Sequence, residues 1–217
     1  MYIICCIYFL CFYILYRINL KQFKGVNFNM ELLSIEPRSI NKFLNTFIAT
    51  YRNKNNKLKE YEVISRDKTL DLDGLGTVHN DAVGIIAFNN DMTKILVQRE
   101  FRLACNNWVI NFPGGLIDKG ENAEVAAKRE LWEETGLEVT DVLTKLPAAY
   151  TAVGISDETS ATIICKATGE FKPSTSFDEE IEPMWITKEQ ALELVKHEKM
   201  SLRTQSVLLL WGSSLDN

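Results

Sequence analysis

A chain of 217 residues with 46% hydrophobic and 24% charged residues is long enough to bury one core with a small extension, and its composition excludes a disordered protein. The formal net charge is −5, and setting aside residues 1–29, which carry Arg17, Lys21 and Lys24 and no acid, takes it from −5 to −8. An acidic surface repels phosphate backbones, so extended nucleic-acid binding is disfavoured and a small anionic substrate needs a locally basic pocket or a metal.

The first element in chain order is residues 1–16, uncharged and mostly bulky, a run shorter than the roughly 18–20 residues that span a bilayer. It lacks a basic leader and a small-residue cleavage site. If it did insert, Arg17, Lys21 and Lys24 would hold the rest of the chain on the cytoplasmic side, so an apolar anchor and a cytoplasmic domain are compatible. A second expectation is a mis-assigned start: Lys24-Gly25-Val26 can be encoded by a purine-rich ribosome-binding tract just ahead of Met30. Peptides from residues 1–29 in the native protein would end that idea. Three of the five cysteines (Cys5, Cys6 and Cys11) lie in this stretch, leaving Cys105 and Cys165. Two well-separated cysteines suit a reducing compartment, and no structural disulfide is expected.

Residues 41–52 look like a short amphipathic lead. The run Leu58–Ser65 begins a strand-rich region, and Ala82–Phe88 and residues 94–101 follow as apolar strands joined by a turn at Asn89-Asn90-Asp91. The pattern predicts a meander feeding a helix that begins after Asn122 and ends at Gly136. Strands are expected at Glu138–Tyr150, Thr159–Thr168 and Ile181–Ile186, with a polar loop at residues 172–180. Thr187 with Gln190 forms a capping box for a helix to about residue 199, and residues 204–211 read as a last apolar helix. Mixed strands with helices on either side imply an α/β/α sandwich.

Residues 115–137 carry the chemistry. Glu130, Glu133 and Glu134 share an arc of about 100° on the predicted helix, with Glu121 just before it. Like charges at such spacing destabilise a helix by roughly 0.2–0.5 kcal/mol per pair, and neither Glu130 nor Glu134 has a Lys or Arg three or four residues away. A solvated acidic face is the plain alternative. Oxygen-only ligands favour Mg²⁺, with Mn²⁺ as a second choice. Asn122 suits the helix start and Gly136 its left-handed end. Gly114 and Gly115, after Pro113, allow a tight turn ahead of the helix. Trp132 falls almost opposite Glu134 and reads as packing.

This stretch resembles the Nudix hydrolase signature, G, five residues, E, seven residues, R-E-U-x-E-E-x-G-U, where U is a bulky aliphatic. Gly115, Glu121, Arg129, Glu130, Leu131, Glu133, Glu134, Gly136 and Leu137 occupy every fixed position. The resemblance implies a Nudix-type α/β/α sandwich with a mixed central sheet over residues 81–217, an N-terminal β-rich extension at residues 30–80, and hydrolysis of a nucleoside diphosphate linked to another group. Metal ligands implied are Glu130, Glu133, Glu134 and the Gly114 carbonyl, with Gly115, Glu121, Arg129 and Gly136 as structural positions. Arg129 would organise a glutamate by a salt bridge.

Three neighbouring segments are similar to the ADP-ribose pyrophosphatase subfamily. Gln98 to Gly115, QREFRLACNNWVINFPGG, matches the stretch ahead of the signature, and Arg102 matches its phosphate-contacting arginine; a surface strand arginine is the alternative. Arg66 resembles a further phosphate contact, and Arg99 is ambiguous. Residues 149–158, AYTAVGISDE, match a downstream segment except that Val153 replaces the usual proline, and Asn111 replaces a glutamate before Pro113. Ser156, Asp157 and Glu158 are loop contacts or turn chemistry. Residues 177–185, FDEEIEPMW, lie where the subfamily has an acidic loop, pointing to Glu179 or Glu180 as the base that deprotonates water, beside Glu133 and Glu134. The expected products from ADP-ribose are AMP and ribose 5-phosphate, and a homodimer built through residues 30–80 is implied. The rival readings are another nucleotide-sugar or NADH-type diphosphatase and a non-catalytic nucleotide sensor on the same fold; the chain keeps the signature glutamates that sensors commonly lose. A membrane scaffold role would rest on residues 1–16 alone.

Overall fold

The computed structural model describes residues 30–176 and 179–213. Residues 1–29, and with them both readings of the chain start, lie outside the described residues, as do Phe177 and Asp178 of the acidic loop.

The strands of the described residues form two sheets. Strands β1 (Met30–Ser39), β2 (Asn45–Asn53) and β3 (Leu58–Ser65) form an antiparallel sheet in that order. Residues 41–52, expected as an amphipathic lead, are thus mostly strand. Their true period is two: Asn45, Phe47 and Ala49 are buried while the residues between them are half-buried. Thr46, Ile48, Thr50 and Tyr51 are β-branched or aromatic and suit a pleated surface. The buried Asn45 side chain fixes the entry to this sheet, accepting the Asn41 N–H at 3.0 Å and donating to the Ser65 and Arg66 carbonyls at 3.2 Å.

The second sheet runs β10-β5-β4-β9-β8, with β6 paired to β5 and β7 to β4. Its strands are β4 (Ala82–Phe88), β5 (Ile95–Arg102), β6 (Asn107–Asn111), β7 (Gly114–Leu116), β8 (Glu138–Tyr150), β9 (Thr159–Thr168) and β10 (Ile181–Ile186). Only β4 and β9 run parallel among these described pairs, so the sheet is mixed. Helix α1 (Ala123–Thr135) covers one face, packing Ala126, Ala127 and Leu131 on Val83, Ile85, Leu96 and Ile163. Helices α2 (Lys188–His197) and α3 (Leu202–Gly212) cover the other, where Ala191 and Leu208 meet Ile86, Ile95 and Val97. Alternate residues of β4 and of the first three positions of β5 therefore enter different cores, which explains why β4 and Ile95-Leu96-Val97 are apolar runs.

Strands β1, β6 and β7 have too little periodicity to read from sequence. Helix α2 stops at His197 because Glu198 is extended (φ −106°, ψ 153°) and the next residues turn back onto β6, where the Ile110 N–H reaches the Lys199 carbonyl at 2.8 Å. The capping box at Thr187 and Gln190 is present. Helix α3 begins at Leu202 because Ser201 caps it, accepting the Thr204 N–H at 3.2 Å.

The small sheet docks on the loop between β8 and β9. Ile64 pairs with Ser156 in a parallel bridge, its N–H meets the Ile155 carbonyl at 2.9 Å, and Ser65 Oγ donates to Asp157 Oδ2 at 2.8 Å. The two sheets thus meet where Arg66 and Glu158 lie.

Candidate active site

The loop and helix from Gly114 to Gly136 are fixed by a few local contacts. Asn122 caps α1 by accepting the Glu124 and Val125 N–H groups at 3.0 Å each. Gly136, at φ 74°, closes it with its N–H on the Trp132 carbonyl at 2.9 Å. A Cβ at Gly114 would strike the Val83 carbonyl oxygen, and one at Gly115 would strike the Glu130 carboxylate, so both glycines admit a close approach that no other residue allows.

Arg129 ties loop and helix together. Its Nε and Nη2 grip both oxygens of Glu121 at 3.0 and 2.9 Å, Nη1 reaches Glu130 at 2.8 Å and Glu133 at 3.2 Å, and Nη2 also donates to the Leu116 carbonyl at 3.0 Å. A planar five-donor fork suits this task in a way an ammonium does not. The Glu121 carboxylate is held below its ordinary range by that bond, and the guanidinium is correspondingly harder to deprotonate.

Glu134 is in a different situation. It is buried, 6% exposed, and accepts the Gly114 N–H at 3.0 Å. Burial, with the charges of Glu130, Glu100 and Glu179 adding to it and the Gly114 bond opposing, pushes its pKa up to about 8. Burial also raises Glu130, against the pull of Arg129. A cavity of about 470 Å³ opens on these groups, bringing Arg66, Arg102 and Arg203 together with Glu100, Glu130, Glu134, Glu158 and Glu179.

The donor set fits a hard divalent cation by its chemistry: Glu130, Glu134, Glu100 and Glu179 are oxygen donors on one cavity, and they repel one another in a partly desolvated place. They are not drawn into a closed cage, and among the described residues no three His, Cys, Asp or Glu groups are gathered to hold an ion as they stand. Glu130 and Glu133 each give an oxygen to Arg129, and Glu134 gives one to Gly114.

The NUDIX domain matches residues 78–207, more than half of the chain and the whole of this site except Arg66. The chain belongs to the Nudix family. It is 35% identical over 120 residues to an ADP-ribose pyrophosphatase of Bacillus subtilis, covering 54% of this chain and 64% of that protein. It is 29% identical over 124 residues to a methanol dehydrogenase activator of Bacillus methanolicus, covering 56% and 66%. The chain thus spans less than two thirds of these curated relatives. A crystal structure of an ADP compounds hydrolase superposes with a TM-score of 0.65 at 20% identity, over 84% of this chain and 91% of that one, which establishes the Nudix fold.

Within the Nudix frame, the residues singled out in sequence divide by position. Glu130, Glu134, Gly114, Arg66, Arg102 and Glu179 all line the cavity. Glu133 does not; its carboxylate lies on Arg129 at the outer edge of the helix. Glu180 also lies outside, its backbone carbonyl receiving the Phe101 N–H at 3.0 Å, so the acidic loop turns Glu179 inward. Arg66 Nε meets Glu158 at 2.6 Å and Arg102 approaches Glu100 at 3.5 Å. Glu158, read equally as turn chemistry, faces the cavity. Arg99 instead pairs with Glu182 and lies 4.5 Å from the Trp108 ring, away from the site. Trp132 is 42% exposed with the Lys172 ammonium 4.1 Å over its ring, so it packs under one cation rather than in a core.

Sequence reasoning missed Glu100, Ser160 and Arg203. A signal for Glu100 did exist: Gln98, Glu100 and Arg102 alternate on one face of the strand that opens with the apolar Ile95-Leu96-Val97, and Gln98 and Glu100 are both buried. Asn111 explains how Glu100 is held, donating to it at 2.9 Å. Ser160 and Arg203 carry no such pattern.

Proposed function

We propose that this Nudix protein is a metal-dependent pyrophosphohydrolase that cleaves a nucleoside diphosphate linked to another group, with ADP-ribose the first candidate and AMP and ribose 5-phosphate the products. The observation that carries the reading is the cavity itself, where Glu130, Glu134 and Glu179 face Arg66 and Arg102. Carboxylates that repel one another suit cations, guanidinium groups suit phosphate oxygens, and a bridging diphosphate satisfies both. The similarity to an ADP-ribose pyrophosphatase supports the choice of ADP-ribose.

Glu130 and Glu134 would hold Mg²⁺ or Mn²⁺, with the Gly114 carbonyl beside them; Glu133 joins them only by leaving Arg129. When bound, such ions neutralise the diphosphate and stabilise charge that develops on its oxygens. Arg66 and Arg102 orient the substrate, exchanging their carboxylate partners for phosphate. Glu179 takes the proton of the attacking water as its oxygen bonds to phosphorus and the bridging P–O bond breaks, leaving one phosphate on each product. Glu100, fixed by Asn111, keeps the carboxylate field in place.

The test is release of AMP from ADP-ribose with Mg²⁺ and with Mn²⁺, beside a panel of UDP-sugars, GDP-mannose and NADH. Preferred cleavage of NADH or a sugar nucleotide would move the substrate, and no cleavage at all would reject the reading. A homodimer in a reducing, cytoplasmic setting belongs to the same proposal. Ile40, Phe43, Leu44 and Leu58 are exposed on and beside the small sheet, Cys105 and Cys165 are free, and no helix among the described residues is long and apolar enough to cross a membrane.

A further inference from the structure

We propose that Arg203, on the last helix, is a receptor for substrate phosphate in this cavity. The assignment deepens the diphosphatase reading and rests on it. Arg66 and Arg102 face the cavity already paired with Glu158 and Glu100. Arg203 lines the same cavity and makes no ion pair among the described residues; its partner is the Ser160 hydroxyl, at 3.4 Å from Nη1. A guanidinium at a cavity wall with no carboxylate against it is a ready site for a phosphate oxygen.

The fold goes to some length to place it there. Strand β4 reads Ala-Val-Gly-Ile-Ile-Ala-Phe with one interior glycine, and a glycine inside a buried strand marks a place where something must come close to the backbone. A Cβ at Gly84 would lie 2.7 Å from Arg203 Nη1, so the guanidinium rests where that side chain would be. Gly84 is paired in register with Gly114, whose N–H holds Glu134. Arg203 therefore reaches the edge of the carboxylate cluster from the layer opposite α1.

Its helix is pinned on the site side. Asn111 Oδ1 accepts from Thr204 Oγ1 at 2.8 Å and from Ser201 Oγ at 3.2 Å, while Asn111 Nδ2 holds Glu100. Thr204 is fully buried. One amide thus locks the first turn of α3 and a cavity carboxylate together, and the residue between Ser201 and Thr204 that points to the site is Arg203. An arginine serving only the stability of α3 would need neither the glycine nor this lock.

The experiment uses the full chain and the variants R203Q, R203K, G84A and R203Q/G84A, with melting curves to confirm folding. Steady-state hydrolysis of ADP-ribose is read beside calorimetric titration with inorganic pyrophosphate in Mg²⁺. R203Q is expected to raise KM about tenfold or more with kcat little changed, since an interaction made equally in ground and transition states is lost. Pyrophosphate affinity should fall in parallel, and R203K should recover part of both. G84A should mimic R203Q by displacing the guanidinium, and in the R203Q background it should add nothing.

Unchanged KM and pyrophosphate affinity in R203Q overturn the assignment while hydrolysis by the wild type still stands. Additive effects of G84A and R203Q, or a wild type that binds no pyrophosphate, overturn it equally. Pyrophosphate binding that depends on Arg203, in a protein that cleaves none of the candidate substrates, rejects the reaction and keeps the receptor.

Discussion

Glu134 shows what a single residue contributes to this site. Buried beside like charges and satisfied by one backbone N–H, it is a carboxylate whose ionised form is costly until a cation arrives. Glu134→Gln keeps the acceptor for Gly114 and removes the charge. Turnover is expected to fall by at least about a hundredfold, while the melting temperature without metal should not fall; near-normal rates in this variant would remove the proposed metal role. Arg66 and Arg102 differ in their starting states, since Arg66 is held at 2.6 Å by Glu158 and Arg102 only at 3.5 Å by Glu100. Of these positions, the signature glutamates are legible in the sequence because their spacing is a helix property. Arg203 is not, because what brings it to the site is a helix packed across the sheet, and one arginine on a helix carries no mark of what lies opposite.

At the scale of the element, the loop, α1 and Gly136 behave as one clamp centred on Arg129. Arg129→Met leaves Glu121, Glu130 and Glu133 without their shared cation, and urea unfolding should report a loss of about 1.5–3 kcal/mol; no loss would show that the network adds nothing to stability. Gly136→Ala is expected to cost more than about 1 kcal/mol, because φ is 74° and the new Cβ would crowd Lys172 and come within 3.0 Å of the Glu170 carbonyl. Most elements are readable from sequence: α1 from its caps, α2 from its box, and β4, β9, β10 and the start of β5 from their apolar runs. Strand β2 is harder to read because residues 41–52 alternate two by two over a stretch that also fits a helix wheel. Strand β7 has three residues, two of them glycine, and exists only through its pairing with β4.

For the whole molecule, the small sheet and the β8–β9 loop form the junction that positions Arg66. Asp157 lies in this junction under Ser65, and burial raises its pKa above the ordinary 3.8. A raised folded-state value means that its contribution to stability is full below the unfolded value and is lost as pH rises through the folded one. Asp157→Asn keeps an acceptor for Ser65, so it should raise the melting temperature near neutrality and give no gain at about pH 3; the same gain at both would place its cause elsewhere. Sedimentation is expected to give twice the 24.8 kDa of one chain, and Phe43→Asp, at an exposed position, to reduce it to one. Nothing in the sequence alone specifies how the two sheets meet, because Ile64 and Ser156 are far apart in the chain and neither stands out.

The parallel pairing of β4 with β9 sets Ala82 against Ser160 and Phe88 against Lys166, so the floor of the cavity cannot close until most of the chain has been synthesised. Contacts this distant in sequence form late, after their loop-closure entropy has been overcome. A nascent chain can assemble the β4–β5 hairpin and α1 first, leaving Val83, Ile85 and Ile86 as an open strand edge. Aggregation during expression should therefore begin at β4, and chaperone dependence should follow the delay before β9 emerges.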